Sequence, residues 1–319
     1  MTNARTRDRF TNALLAAALA VGACSAPSAP ATSDASARKP AAVTPAAASP
    51  AAVPAPENEA PSAALLERYA RVKARAPAGF TVLLEPPFVV AGDEAPRRVK
   101  LRAVNTVRFA VTRLERDFFE ATLRHPIAIW LFRDAESYAH HARALFGETP
   151  ETPYGYYSAT HRALVMNIAT GGGTLVHEIV HPYVEADFPG CPTWIDEGLG
   201  SLFEQCADRD GHLRGLTNWR LPGLQKAIRA GRLPPFDELV ATTREEFYGA
   251  DPGTNYGQAR YLMYYLQEHG LLVRFYRAAR DGHAGDPTGA RALRAVLGRE
   301  DLAEFQREWE AWVLELEHP

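Results

Sequence analysis

The sequence predicts an α+β fold, with a mixed strand-and-helix lobe at 61–170 followed by an all-helical lobe at 171–319. Three observations carry this reading. Short apolar runs of strand character alternate with helix-spaced segments as far as residue 168. After Gly173 the remaining pattern is helical with loops. The chain has 319 residues and 46% hydrophobic content, enough for a sizeable core.

SAALLERYARVKARAP (62–77) has helical spacing, and TVLLEPPFVV (81–90) is strand-like but interrupted by Pro86-Pro87. Residues 97–123 predict one long amphipathic helix, with Val104, Val107, Val111, Leu114, Phe118 and Leu123 near one face. IAIWLF (127–132) reads as a strand, and AESYAHHARALFG (135–147) as a helix stopped by its glycine. YGYYSATHRALVMNI (154–168) reads as two short strands around a turn. No internal repeat is visible, and His140, His141 and His161 have no ligand spacing.

The N-terminus carries a different kind of signal. Arg5, Arg7 and Arg9 precede a short apolar run, ALLAAALAV (13–21), too short for a stable membrane anchor. The run closes in Val21-Gly22-Ala23-Cys24, which resembles the lipobox of bacterial lipoproteins. That resemblance implies a signal peptide at 1–23 and lipidation of Cys24; Ser25, in place of Asp, leans toward the outer membrane, facing periplasm or exterior. Losing three Arg and one Asp with residues 1–23 would take the net charge from −3 to −5. Residues 24–60 are almost entirely Ala, Pro, Ser and Thr, the composition of a disordered tether. The acidic balance and the lack of a basic cluster argue against a nucleic-acid partner, and no oligomer signal appears, so a monomer is expected. In an oxidising compartment the two remaining cysteines, Cys191 and Cys206, could form a disulfide or stay as buried thiols.

The chemistry concentrates in TLVHEIVH (174–181). On a helix, His177 and His181 project from one face one turn apart, so both can ligate one metal ion. Glu178 lies about 100° around from His177, close enough to act on a water there without binding the ion. A metal such as Zn2+ lowers the pKa of that water, and a nearby carboxylate can move its proton. Leu175, Val176, Ile179 and Val180 predict a buried helix. Pro182 predicts a kink or an end just after the second histidine, because it lacks an N–H and clashes with the Glu178 carbonyl. Gly171-Gly172-Gly173 predicts a tight turn before the helix, or a close backbone approach.

A third ligand decides whether the pair is a metal site. PTWIDEGLGSLFE (192–204) resembles the gluzincin zinc metallopeptidases, the His-Glu-x-x-His proteins in which a Glu from the next helix completes the site. Trp194-Ile195-Asp196-Glu197-Gly198-Leu199-Gly200 is similar to the aminopeptidase-type pattern, and Glu204 fits an acidic position those proteins often carry. The resemblance implies a thermolysin-like zincin fold, Zn2+ held by His177, His181 and Glu197, and Glu178 as general base. Asp196 competes for the third position; the Trp-x-x-Glu-Gly frame favours Glu197. On that helix Cys206 would face away from the metal. TNYGQARYLMYYL (254–266) resembles the family's segment carrying a tyrosine that donates to the oxyanion, which implies that role for Tyr256, with Tyr261, Tyr264 and Tyr265 as core. Gln258 and Ala259 stand where the family has Lys and Gly. Two departures limit the likeness: no Gly-x-Met-Glu-Asn segment lies within 130–173, and Ser201 stands where the thermolysin-like branch has Asp.

Together these features predict a zinc-dependent peptidase acting on a peptide or protein substrate in the cell envelope, held to the membrane through its lipid anchor. The competing expectation is a zinc-binding but catalytically inactive envelope lipoprotein that binds a partner.

Overall fold

The computed structural model describes residues 60–249 and 251–318. The signal peptide, Cys24 and the tether through residue 59 lie outside the described residues. A five-stranded sheet runs in the order β1-β2-β3-β5-β4. β1 (Thr81–Glu85) pairs antiparallel with β2 (Phe88–Gly92); β2 and β5 (Ala163–Asn167) flank β3 (Ile127–Phe132) in parallel; β4 (Gly155–Ser158) closes the edge antiparallel to β5.

Alternation along the strands sorts side chains onto two faces. Val89, Ala91, Ala128, Trp130, Phe132 and Val165 pack under α1 (Ala63–Arg75) and α4 (Ala135–Phe146). Phe88, Val90, Ile127, Ile129, Leu131 and Leu164 face the larger core, which continues without a break into the helical part. Local caps set the helix starts. Ser62 accepts from the Leu65 N–H at 3.2 Å, and Asp134 from the Ser137 N–H at 2.8 Å. Gly147 ends α4 in the left-handed conformation with φ 70°.

The α+β arrangement is as expected, as is the interruption at Pro86-Pro87, and three other expectations are corrected. The prolines split 81–90 into two strands, since Pro86 and Pro87 cannot donate to a ladder. The long helix begins at Pro96 and ends at Asp117, not 123, and it contains a π segment at Ala103–Arg108 between α2 (Pro96–Arg102) and α3 (Phe109–Asp117). Pro182 does not end the helix that carries the histidines: α5 runs Gly172–Asp187, and the missing N–H leaves only the Glu178 carbonyl without its intrahelical partner.

The last correction concerns the C-terminal part, which is not all-helical. α6 (Thr193–Phe203) gives way to a hairpin of β6 (Cys206–Arg209) and β7 (His212–Gly215). Asp210 and Gly211 turn it with φ 55° and 82°, the pair of left-handed residues a two-residue hairpin needs. Cys206 is thus on a strand, not on the far side of α6. Nor is it bonded to Cys191: both thiols are free. The eleven residues of α6 stand between them, roughly 16 Å at helical rise, while a disulfide needs Cα atoms within about 7 Å.

Seven further helices complete this part: α7 (Leu221–Arg229), α8 (Phe236–Ala241), α9 (Arg244–Phe247), α10 (Pro252–Glu268), α11 (Leu272–Gly282), α12 (Ala290–Leu297) and α13 (Leu302–Glu315). α6 packs chiefly on α10 and α5. Arg260 of α10 is fully buried and donates to the carbonyls of Leu202 (3.3 Å) and Leu216 (2.5 Å), fastening the end of α6 and the hairpin to α10.

Candidate metal centre

The site forms where two helices cross with small residues between them. α5 presents Gly173, His177 and His181, spaced by one turn each; α6 presents Glu197 and Gly200, with Glu204 at its C-terminal cap. A Cβ on Gly173 would lie 2.1 Å from the Glu204 carbonyl oxygen, so the start of α5 touches the end of α6. A Cβ on Gly200 would lie 3.0 Å from both Cε1 and Nε2 of the His177 ring. Glycine at 173 and 200 therefore brings the helices close enough for their polar groups to meet.

His177, His181 and Glu197 form a buried triad that could hold a metal ion, with ligand atoms all within 4.8 Å of one another. Glu197 Oε2 is 3.1 Å from His177 Nε2 and 4.0 Å from His181 Nε2. Two ligands on a tetrahedral zinc ion lie about 3.4 Å apart, so these separations suit one small ion.

Each ligand is held from behind. His181 Nδ1 hydrogen-bonds to Asp196 Oδ1 at 2.8 Å. Glu204 Oε1 lies 3.2 Å from His177 Nδ1, an ion-pair distance without an aligned hydrogen bond. Glu204 is in turn fixed by Arg220 Nη2 at 2.7 Å and by Asn218 Nδ2 at 3.4 Å. The Tyr248 hydroxyl donates to Glu197 Oε1, leaving Oε2 for the histidines. Carboxylates on the outer imidazole nitrogens orient the rings and leave Nε2 to face the ion. Asp196 thus supports a ligand and is not the third member of the triad.

Burial and mutual attraction oppose each other here. Burial alone would raise the Glu197 and Glu204 carboxyls. His181 and His177 with the Tyr248 hydroxyl pull Glu197 down to about 2, and Arg220 with His177 does the same for Glu204. Burial disfavours the imidazolium forms, but Asp196 and Glu197 raise His181 to about 9, while Glu197 and Glu204 raise His177 well above its usual value. Without a metal both rings therefore hold a proton at neutral pH.

Glu178 is different. It is 1% exposed, and neither carboxylate oxygen has a hydrogen-bond partner. Burial raises its carboxyl, and the attraction of His181 and His177 offsets this only in part. Tyr256 is also buried, with no aligned hydrogen bond on its hydroxyl, and burial and then the nearby Glu197 carboxylate push that hydroxyl's pKa up. Its ring packs on Phe247 at 5.2 Å and beneath the Arg220 guanidinium at 5.2 Å. Orphaned polar groups beside the triad fit a centre that an ion could complete.

The structure thus gathers His177, Glu178, His181, Glu197 and Tyr256 in one place. Sequence reasoning missed Tyr248, Arg220 and Asn218. Tyr248 stands in EEFYGA with no helical spacing to tie it to α6, and Arg220 lies beyond an unforeseen hairpin. No protein-family model matches the chain, and a search of curated proteins finds no match.

Proposed function

We propose that the protein is a zinc-dependent peptidase of the cell envelope, with the ion held by His177, His181 and Glu197. The observation that carries this reading is the Glu178 carboxylate, buried and unpartnered beside the triad. A centre that only braced the fold would gain nothing from such a group, which costs about 1–3 kcal/mol or more to bury unpaired. A general base needs it.

When bound, zinc supplies a Lewis acid that polarises a carbonyl and lowers the pKa of a water. Glu178 takes the proton of the attacking water at its carboxylate and returns it to the departing amide nitrogen. Its raised pKa suits both steps. The Tyr256 hydroxyl, with no aligned hydrogen bond of its own, donates to the oxygen that gains charge when the carbonyl is attacked. Asp196 and Glu204 keep the imidazoles oriented, and Tyr248 fixes the rotation of Glu197. The substrate is a peptide or protein. Arg5, Arg7, Arg9 and the Cys24 motif support a lipid anchor, and Ser25 supports an outer-membrane location facing the periplasm or exterior.

One observation favours a second reading, a zinc-binding lipoprotein without activity: His177, Glu178, His181 and Glu197 are at most 6% exposed, as in closed structural sites. Residues 61–319 incubated with a diverse peptide library and read by mass spectrometry separate the two. Cleavage is expected from the zinc-loaded protein and none from Glu178→Gln, which should bind zinc equally well. Identical peptide profiles from the two proteins would overturn the peptidase reading.

A further inference from the structure

Across the sheet from the metal centre lies a second concentration of charge. A cavity of about 240 Å³ opens between α1 and the β4–β5 turn. Arg68, Arg71 and Arg75 line it from positions i, i+3 and i+7 of α1, one face of that helix. Its floor is apolar, with Trp130 and Phe146 from the core beneath.

Two of the three arginines, Arg68 and Arg75, have no carboxylate partner among the described residues. Arg68 Nη2 donates to the carbonyls of His161 (2.9 Å) and Arg162 (2.8 Å), and its Nε is buried with no partner. Arg75 donates to the Leu145 carbonyl and stacks over the Phe146 ring at 5.6 Å. Among the described residues, the ion pairs here are Arg71 with Glu67, both largely exposed, and His161 with Glu148 at 3.6 Å. Carbonyls orient guanidinium groups but do not neutralise them. The repulsion registers on Arg68, whose pKa is lowered by burial and then by Arg75, Arg71 and Arg162. A helix that brings three guanidinium groups to one cavity, two of them without a carboxylate, holds an arrangement that a multivalent anion would relieve.

We propose that this cavity is a binding site for a phosphate-bearing ligand, with Arg68 and Arg75 on the phosphate oxygens and an apolar part of the ligand on the Trp130–Phe146 floor. Planar guanidinium forks suit a phosphate, and more than one unpaired cation suits its double charge. The volume exceeds that of a bare phosphate, and Val72, Trp130 and Phe146 offer apolar surface to the remainder, with Thr160 and His161 at the turn. The phosphate could belong to a soluble phosphomonoester or to a lipid headgroup. This site does not rest on the peptidase reading: it lies on the other face of the sheet and shares no residue with the triad.

The test is calorimetric titration of residues 61–319 with inorganic phosphate and with phenyl phosphate, and co-sedimentation with vesicles containing phosphatidic acid, whose headgroup is a phosphomonoester. The same measurements are made on Arg75→Gln and on Arg68→Gln/Arg75→Gln. Arg75→Gln removes one carbonyl contact and the stacking on Phe146, both at the surface, and should fold normally; unchanged zinc binding at the triad checks both variants. Phenyl phosphate should bind with a Kd of about 1 mM or tighter and several-fold better than inorganic phosphate, weakened about tenfold by Arg75→Gln and further by the double substitution. Vesicle binding that is lost in the variants, with no soluble phosphate binding, would assign the phosphate to a lipid. Binding of neither kind, or equal binding by wild type and Arg75→Gln, would overturn the site.

Discussion

Glu178 carries a carboxylate whose two oxygens are buried and unpartnered, so the metal-free protein bears the full cost of that burial. Replacing it by Leu, of similar volume, removes the cost. An unsatisfied buried polar group is worth about 1–3 kcal/mol, more when charged, and here burial outweighs the attraction of His181 and His177. Glu178→Leu should therefore stabilise the metal-free protein by about 1–3 kcal/mol, or roughly 2–10 °C in Tm for a domain of this size. Glu178→Gln should gain less, because an amide remains unpaired.

The pH dependence has a definite sign. A carboxyl whose folded pKa is raised binds its proton more tightly in the folded than in the unfolded state. Its unfavourable contribution is absent below the ordinary value of 4.5 and grows as pH rises through the raised folded value. The advantage of Glu178→Leu should thus widen from acid toward neutral pH. Thermal unfolding of chelator-treated proteins at a series of pH values measures this. A Leu variant less stable than wild type by more than about 1 kcal/mol at neutral pH would refute the reasoning, since Glu178 would then be making favourable interactions.

Gly200→Ala places a Cβ 3.0 Å from the His177 ring, so either the ring or α6 must shift; zinc affinity measured by chelator competition should fall about 10–100-fold with the helical signal unchanged. Zinc binding at pH 7 should release about two protons, one each from His177 and His181, seen as a dependence of the titration heat on buffer ionisation enthalpy, and the release should decline above pH 9. Metal-free stability should show both flanks of the charge network. The Glu197 and Glu204 contributions are present above about pH 4.5 and lost as pH falls toward 2, while that of His181 is present below about 6.5 and lost as pH rises through 9.

The parts of this site legible in the sequence are those fixed by helical periodicity. His177 and His181 share a face because four residues make about one turn, and Glu197 is placed by its own helix a short loop later. The centre of the sheet was equally legible, because β2, β3 and β5 are runs of mostly apolar residues. What escaped depends on tertiary neighbours. The end of the long helix at Asp117 has no breaker in the sequence. The β6–β7 hairpin had a signal, Asp210-Gly211, but its strands are polar and short and do not alternate in hydrophobicity. Missing it hid Asn218 and Arg220, which reach Glu204 only because the hairpin and its exit fold back over α6. Pro182 was misleading for a related reason: α5 is buried on nearly every side, and packing holds it helical past the lost hydrogen bond.

The same network explains why the metal-free protein can fold around so many buried acids. Asp196, Glu197 and Glu204 face two imidazoles, with Arg220 on the outer side. With both rings protonated, the histidines carry two positive charges, which is the charge a divalent ion would bring while displacing those protons. Loading of a divalent ion would thus exchange two protons for one ion and leave the electrostatic balance of the helix pair nearly unchanged. Small zinc domains that unfold without metal lack such a substitute and a separate core. Here α5 and α6 are also anchored by Leu175, Ile179, Val180, Ile195, Leu199 and Leu202, all fully buried. On the proposed reading the fold would not wait on the ion, and the binding energy of a metal would remain for holding reacting groups rather than for assembling the helices.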